Sequence, residues 1–419
     1  MQHRLSRFTK TVQDPIWSQN SDYCGLERLV LWVATDSYLL LPIQDYTYFF
    51  SLFLSLQLKT KISIPYVFWQ QSTIEGLNLR YLVFMVVSRL SFALCGFLFT
   101  TIVACSSGQT PIADNGIKST KTIAVTQIIE HPALNAVRDG LKEELAKQGF
   151  EANKNLKWQW INAQGNQSTA VQIAKKIAGE APEVIVAIST PSAQAVASAA
   201  LKDAPNTAIV FSAVTDPVSA KLVSNLQQPG GSITGVSNLT PIAEHLKLIT
   251  QITPKVKRVG VIYNAGEANA AYIVKLLKEI APKQGLSIVE VAIANSSEVA
   301  SAARSLVGRA EAIYIPTDNT VVSAIDSALK VGVQYQLPIY AGDNNTVEAG
   351  AIATLGFDYR DMGRQTGRMV ARVLRGEKPG TIAVEPPGKV DLVINAKSAA
   401  TMGVKIPADV LKKASRVIQ

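Results

Sequence analysis

Two sets of residues in this chain have types and spacings that could do chemistry. The first is Ile102-Val103-Ala104-Cys105, a thiol preceded by a small residue at the end of the apolar run 90–103, with Arg89 in its lead. A basic lead, a short apolar core and a small-residue cleavage site make up a secretory signal. A Cys at the first mature position can carry a diacylglycerol, whose acyl chains bury at ~0.8 kcal/mol per CH₂ and tether a soluble body to a membrane. The run is shorter than the ~20 apolar residues of a spanning helix, and Ser106-Ser107-Gly108 follow it at once. The second set is a series of short polar segments after apolar runs: residues 127–132, Ser189-Thr190-Pro191-Ser192, Val214-Thr215-Asp216-Pro217, Tyr263 to Glu267, Pro316-Thr317-Asp318-Asn319 and Gly342-Asp343-Asn344. Singly these are ordinary turn and cap residues. Gathered on facing rims, they would offer hydroxyls and helix-start N–H groups to a carboxylate, with Asp216, Asp318 and Asp343 available to an ammonium group. That combination suits a small zwitterion. A sugar site would want several stacking aromatics, and only eleven follow Cys105.

Other chemistries find no support. Cys24, Cys95 and Cys105 are the three cysteines, so the chain after Cys105 has no thiol for a disulfide or a zinc site. His131 and His245 are the histidines there, not at metal spacing. No nucleophile elbow, Walker loop or dinucleotide fingerprint occurs. The reading is therefore of a protein without catalytic residues, metal or cofactor. Removing residues 1–104 leaves 33 Lys/Arg against 26 Asp/Glu, a net +7 with no long basic run. This charge is read as a solvated surface near an anionic membrane, not as a nucleic-acid footprint.

The elements that must position the second set follow a regular order. Strand patterns at 122–127, 158–162, 184–188 and 208–214 alternate with helical patterns at 132–147, 168–178 and 192–201. The alternation resumes after 233–236 and continues to a last strand at 390–394. Such βαβα order predicts parallel sheets covered by helices. In the first helix Leu134, Val137, Leu141 and Leu145 form one face, with Pro132 at its start and Gly149 past its end. Ligands of open α/β sheets bind beyond the strands' carboxyl ends, where the second set lies. Residues 1–84 share none of this pattern. They are read as a misplaced translation start, with the signal at 85–104 and a flexible tether at 105–119.

Several segments, taken in order, resemble one family. They are Gln127-Ile128-Ile129-Glu130-His131-Pro132-Ala133-Leu134, residues 211–217, residues 229–236, Tyr263-Asn264-Ala265-Gly266-Glu267-Ala268-Asn269, residues 315–320 and Gly356-Phe357-Asp358-Tyr359. Together they resemble the ABC-transporter substrate-binding lipoproteins of the tryptophan/tyrosine type, from about Lys121 to Pro407. The resemblance implies the type I periplasmic-binding fold, two Rossmann-like α/β lobes joined by a three-segment hinge. Lobe 1 would comprise 120–237 and 358–378, and lobe 2 238–357 and 379–419. It implies cleft residues Gln127, Glu130, His131, Pro132, Thr190, Pro191, Thr215 and Asp216 on the first lobe. The second lobe would supply Tyr263, Asn264, Glu267, Asn269, Thr317, Asp318 and Asn319, with Asp343 and Asp358 toward the hinge. It also implies a monomer, lipid-anchored through Cys105 on the extracytoplasmic face of a membrane. There it would hand a small solute, an amino acid with aromatic ones favoured, to a permease and its ATPase. Rival readings are a ligand sensor of the same fold, a nucleoside or sugar ligand, and a repressor-type domain. The last would need a helix-turn-helix where this chain has Cys105.

Overall fold

The computed structural model describes residues 120–419. The signal, the tether, residues 1–84 and Cys105 lie outside the described residues. The chain first lays down β1 (Lys121–Gln127), α1 (Pro132–Lys147), β2 (Leu156–Asn162), α2 (Gln167–Glu180), β3 (Val184–Ile188), α3 (Thr190–Asp203), β4 (Ala208–Val214) and β5 (Ile233–Ser237). These strands form one parallel sheet in the order β2-β1-β3-β4-β5. β3 and β4 are buried along their whole length, as expected of parallel strands covered on both faces.

The second lobe repeats the device with α4 (Ile242–Ile252), β6 (Arg258–Asn264), α5 (Ala268–Ile280), β7 (Ser287–Ile293), α6 (Val299–Ser305), β8 (Ala312–Ile315), α7 (Asn319–Ser323), α8 (Ile325–Tyr335) and β9 (Ile339–Ala341). Its sheet runs β7-β6-β8-β9, all parallel. After α9 (Asn344–Ala349) comes a small sheet of β10 (Ala353–Gly356), β11 (Asp391–Asn395) and β12 (Arg416–Ile418), in which β10 and β11 are antiparallel. Between β10 and β11 the chain returns to the first lobe as α10 (Tyr359–Leu374); α11 (Ala396–Thr401) and α12 (Ala408–Lys413) finish the second. Among the described residues no helix is long and apolar enough to cross a membrane.

Two separate hydrophobic cores mark the lobes. Ile123 to Val236 and Phe357 to Val384 build one, and Ile242 to Ala353 with Leu392 to Val410 the other. The third crossing therefore falls beyond the 378/379 boundary expected from sequence. Ile382 and Val384 pack into the first core, Thr234 Oγ1 donates to Ile382 O at 2.8 Å, and Val384 N donates to Leu226 O at 2.7 Å. These long-range bonds hold the segment to lobe 1 past that boundary.

α10 is locked against α1 by glycines. A methyl group on Gly140 would overlap the Arg360 carbonyl, one on Gly363 the Val137 carbonyl, and one on Gly367 would meet Glu144 Cβ at 2.7 Å. The two backbones can touch only because these side chains are missing. Gly363→Ala is expected to destabilise the fold by about 2 kcal/mol or more, through overpacking against rigid backbone. Gly179→Ala, in α2 with open space around it, should be neutral or stabilise by up to ~1 kcal/mol. Urea denaturation of both variants checks the pair.

Candidate functional site

The carboxyl ends of both sheets face each other and enclose a chamber. Its first-lobe wall is His131, Ala133 and Leu134 after β1, and Ala213 and Thr215 at the end of β4. The second-lobe wall is Asn269 on α5, Thr317, Asp318, Asn319 and Val322 around α7, and Asp343 before α9. Asn238 and Tyr359 close it beside the hinge. The walls stand so close that the space between them is only about 20 Å³, room for roughly one water. A solute the size of an amino acid must therefore enter while the lobes are apart.

Local backbone shapes the first wall. β4 slips register against β5 between Ser212 and Val214, where Ala213 takes φ +55°. The bulge re-aims the strand end so that Ala213 and Thr215 both reach the chamber. Ser189, between β3 and α3, has φ +89°. Strained non-glycine residues of this kind gather where function fixes the backbone. Thr190, behind the wall, offers its Oγ1 to Thr215 N at 3.4 Å, and Thr215 Oγ1 donates to Asn238 Oδ1 at 3.3 Å.

The second wall is organised by Glu267, a carboxylate only 3% exposed. Its Oε2 accepts from Asn319 N at 3.1 Å, Asn319 Nδ2 at 2.5 Å and Asn269 Nδ2 at 3.1 Å. Its Oε1 accepts from Thr320 N at 2.9 Å and Thr320 Oγ1 at 2.7 Å. Asp318 caps α7, accepting from Val321 N at 2.9 Å and from Asn264 N at 2.6 Å. Burial, together with the Glu267 charge beside it, pushes its carboxyl well above the ordinary range. Asp343 caps α9 through Thr346 N and Oγ1, at 2.8 and 2.6 Å, and burial raises its carboxyl too. Among the described residues no ion pair includes Glu267, Asp318 or Asp343.

Three buried polar atoms on the chamber wall have no partner: His131 Nδ1, Asn269 Oδ1 and Thr317 Oγ1. Their chemistry follows from the network. Asn269 Nδ2 is spent on Glu267 and on Thr317 O at 2.9 Å, so its Oδ1 is an acceptor. Asn319 Nδ2 is spent on Glu267, so its Oδ1 receives His131 Nε2–H at 3.4 Å across the two lobes. That assignment leaves His131 Nδ1 as an acceptor as well. Burial, opposed by the Asn319 bond, lowers the imidazole to about 4, so it is neutral at pH 7. The chamber is thus rich in acceptors and carboxylates, while Tyr359, whose hydroxyl accepts from Asn238 Nδ2 at 3.1 Å, keeps its own proton to donate. Burial raises the Tyr359 phenol, which stays protonated.

Of the residues anticipated from sequence, His131, Thr215, Asn269, Thr317, Asp318, Asn319 and Asp343 meet on the chamber wall. The others do not reach it. Gln127 bonds Ile129 O and Asn135 beneath the first loop. Glu130 pairs with Arg138 at 3.4 Å, and Pro132 is an exposed first residue of α1. Thr190 and Pro191 are buried at the start of α3. Asp216 accepts from Ser219 N at 2.6 Å. Tyr263 donates to Glu290 at 3.2 Å, and Asp358 caps α10 from an exposed position. Asn264 and Glu267 line a separate, open mouth with Gln164, Asn166 and Gln167. The wall residues that rim-reading missed are Ala133, Leu134, Ala213, Asn238, Val322 and Tyr359. Only Asn238 and Tyr359 carried a signal, lying at or next to the expected lobe boundaries at 237/238 and 357/358.

The chain belongs to the ABC transporter substrate-binding proteins. Residues 122–418 match the family described as ABC transporter substrate binding protein. It is 37% identical over 330 residues to a tyrosine-binding protein of Clostridioides difficile, covering 77% of this chain and 94% of that one. The structure is similar to that of an ABC domain from Streptococcus pneumonia in complex with L-Trp: 34% identity, TM-score 0.68, 72% of this chain and 100% of that one. A ligand-free, open structure of a Clostridium difficile substrate binding protein with adhesive properties matches at 36% identity and TM-score 0.55, over 71% and 99%. The fold is the type I periplasmic-binding fold, as the sequence resemblance implied.

Glu267→Gln is expected to cost roughly 2–4 kcal/mol, because an amide hydrogen would face the donors of Asn319 or Thr320 in a buried site. The exposed Glu279→Gln should change stability by no more than about 0.5 kcal/mol. Urea denaturation at pH 7 compares the two.

Proposed function

We propose that this substrate-binding protein captures a free amino acid between its lobes, with aromatic side chains preferred, and delivers it to a membrane permease and its ATPase. The observation that carries the reading is the acceptor-rich chamber: unpaired buried carboxylates, with His131 Nδ1 and Asn269 Oδ1 unpartnered beside them. A ligand ammonium supplies the missing charge and donors, and the Tyr359 and Thr317 hydroxyls can donate to its carboxylate. The ligands named for two relatives, tyrosine and L-Trp, support the aromatic preference. Closure follows from differential affinity, since the ligand touches both walls only when the lobes meet. In this reading the protein works outside the cytoplasm as a monomer, held to the membrane by a diacylglycerol on Cys105. Mass spectrometry of the membrane fraction should find the lipid-modified Cys105 as the first residue. An unmodified or internal Cys105 would refute the anchor.

Isothermal titration with L-tryptophan and L-tyrosine tests the main reading, with nucleosides and sugars as the competing ligands. Binding of an amino acid is expected at pH 7.5, and binding of only a nucleoside or sugar would sink the proposal. The affinity should also depend on pH. In the closed form His131 has a pKa near 4, whereas an exposed imidazole in the open form would take the ordinary ~6.5. The open form then binds the extra proton between these values, so affinity falls as pH drops through 6.5. About tenfold weaker binding is expected at pH 5.5 than at 7.5, and His131→Asn should remove that dependence.

A further inference from the structure

The chamber is too small for a phenol or an indole ring. Its space of about 20 Å³ compares with ~300–1,000 Å³ for an ordinary small-molecule pocket. A space of ordinary size adjoins it. The open mouth encloses about 690 Å³ and, like the chamber, lies between the lobes. Its first side is the turns after β1 and β2, and its second the turns after β6 and β7 with the start of α7. β2 and β7 are edge strands, at the ends of their sheets away from β5 and β9, so the mouth opens opposite the hinge. Asn319 belongs to the wall of both spaces.

The two spaces differ in chemistry. The chamber gathers carboxylates and unpartnered acceptors, whereas the mouth has one ionisable lining residue, Glu267, whose oxygens are taken by five bonds. Ile128, Ile129 and Ile293 offer it apolar contact. The second-lobe amides are spent. Asn264 Nδ2 donates to Thr320 Oγ1 at 2.9 Å, and its Oδ1 accepts from Gly266 N at 2.8 Å. Asn295 Nδ2 donates to Glu298 at 2.9 Å, and its Oδ1 accepts from Ser297 N at 3.1 Å. On the first lobe, Gln164 and Gln167 are exposed, and their side chains make no hydrogen bond among the described residues. Their backbone is nevertheless fixed. Gln164 N donates to Asn162 Oδ1 at 2.8 Å, Gly165 N to Ile128 O at 2.7 Å, and Thr169 N to the α2 cap Asn166 Oδ1 at 2.9 Å.

We propose that the mouth is the side-chain subsite of this protein. The ammonium and carboxylate of the bound amino acid lie in the chamber, its ring lies beyond Asn319, and Gln164 and Gln167 select rings that carry a donor. The inference deepens the function proposed above and rests on it. Tyrosine and tryptophan side chains are both apolar rings with one donor, an O–H or an N–H. An amide oxygen accepts from either, while the isoleucines contact the ring. A charged side chain finds no counter-ion there, and phenylalanine brings no donor.

Isothermal titration of the full chain with L-tyrosine, L-tryptophan and L-phenylalanine tests the assignment. L-Phenylalanine should bind about three- to tenfold more weakly than L-tyrosine, the effect of one hydrogen bond. Gln164→Ala combined with Gln167→Ala should abolish that gap. Ser168→Trp fills the mouth from an exposed position of α2 and should weaken L-tyrosine and L-tryptophan by about tenfold or more, with its ligand-free melting curve reporting that it folds. Unchanged affinity for both in Ser168→Trp would overturn the subsite. So would equal binding of tyrosine and phenylalanine by the unsubstituted protein, or a gap that survives loss of both amides. Each of these results leaves the amino-acid reading standing, whereas an unsubstituted protein that binds none of the three overturns both.

Discussion

A single buried carboxylate holds half of the chamber in place. Glu267 ends the turn after β6, yet its oxygens gather donors from α5 and from both the backbone and the side chains that open α7. Three segments that diverge along the chain are thereby fixed to one point. Charge-assisted bonds to a carboxylate are about twice as strong as neutral ones, and the three at Oε2 are buried. The consequence extends to the ligand site. With Asn269 Nδ2 and Asn319 Nδ2 both committed to Glu267, their oxygens must face the other way, one into the chamber and one toward His131.

The same constraint sets the chamber's electrostatics. Glu267 stands behind Asp318 and helps to raise its carboxyl, and Asp343 is raised by its own burial. Burying negative charge without a cation is costly. Here the cost is partly offset by helix-start N–H groups, because Asp318 and Asp343 each cap a short helix. The remaining imbalance is what an ammonium group would relieve. In the proposed function, ligand recognition and lobe closure draw on one arrangement: the second wall supplies acceptors, and His131 bonds across to Asn319.

Much of this was legible in the sequence, and the limits have physical causes. Helices such as α1 and the buried strands β3 and β4 were readable because apolar spacing is a local property. Thr215, Thr317, Asp318 and Asp343 were findable because the turn after a parallel strand has nowhere to go but the cleft rim. Position on the rim does not decide direction, however. Glu130 turns out to Arg138, Tyr263 to Glu290, and Asp216 past the wall. Glu267 had the expected place but another role, since scaffold and ligand contact look alike in a turn sequence. The bulge at Ala213 left no trace because it exists only in the register of β4 against β5. Val322 and Leu134 read as core, which one face of each helix is.

The central claim is that the acceptor-lined chamber between the lobes is an amino-acid site. Its most direct test is a crystal structure of the protein grown with L-tryptophan. The account predicts the amino acid between the lobes, its ammonium against Asp318 or Asp343 and the Asn269 and His131 acceptors, its carboxylate toward Tyr359 and Thr317. A ligand bound outside this chamber, or one whose carboxylate faces Asp318 and Asp343, would contradict it.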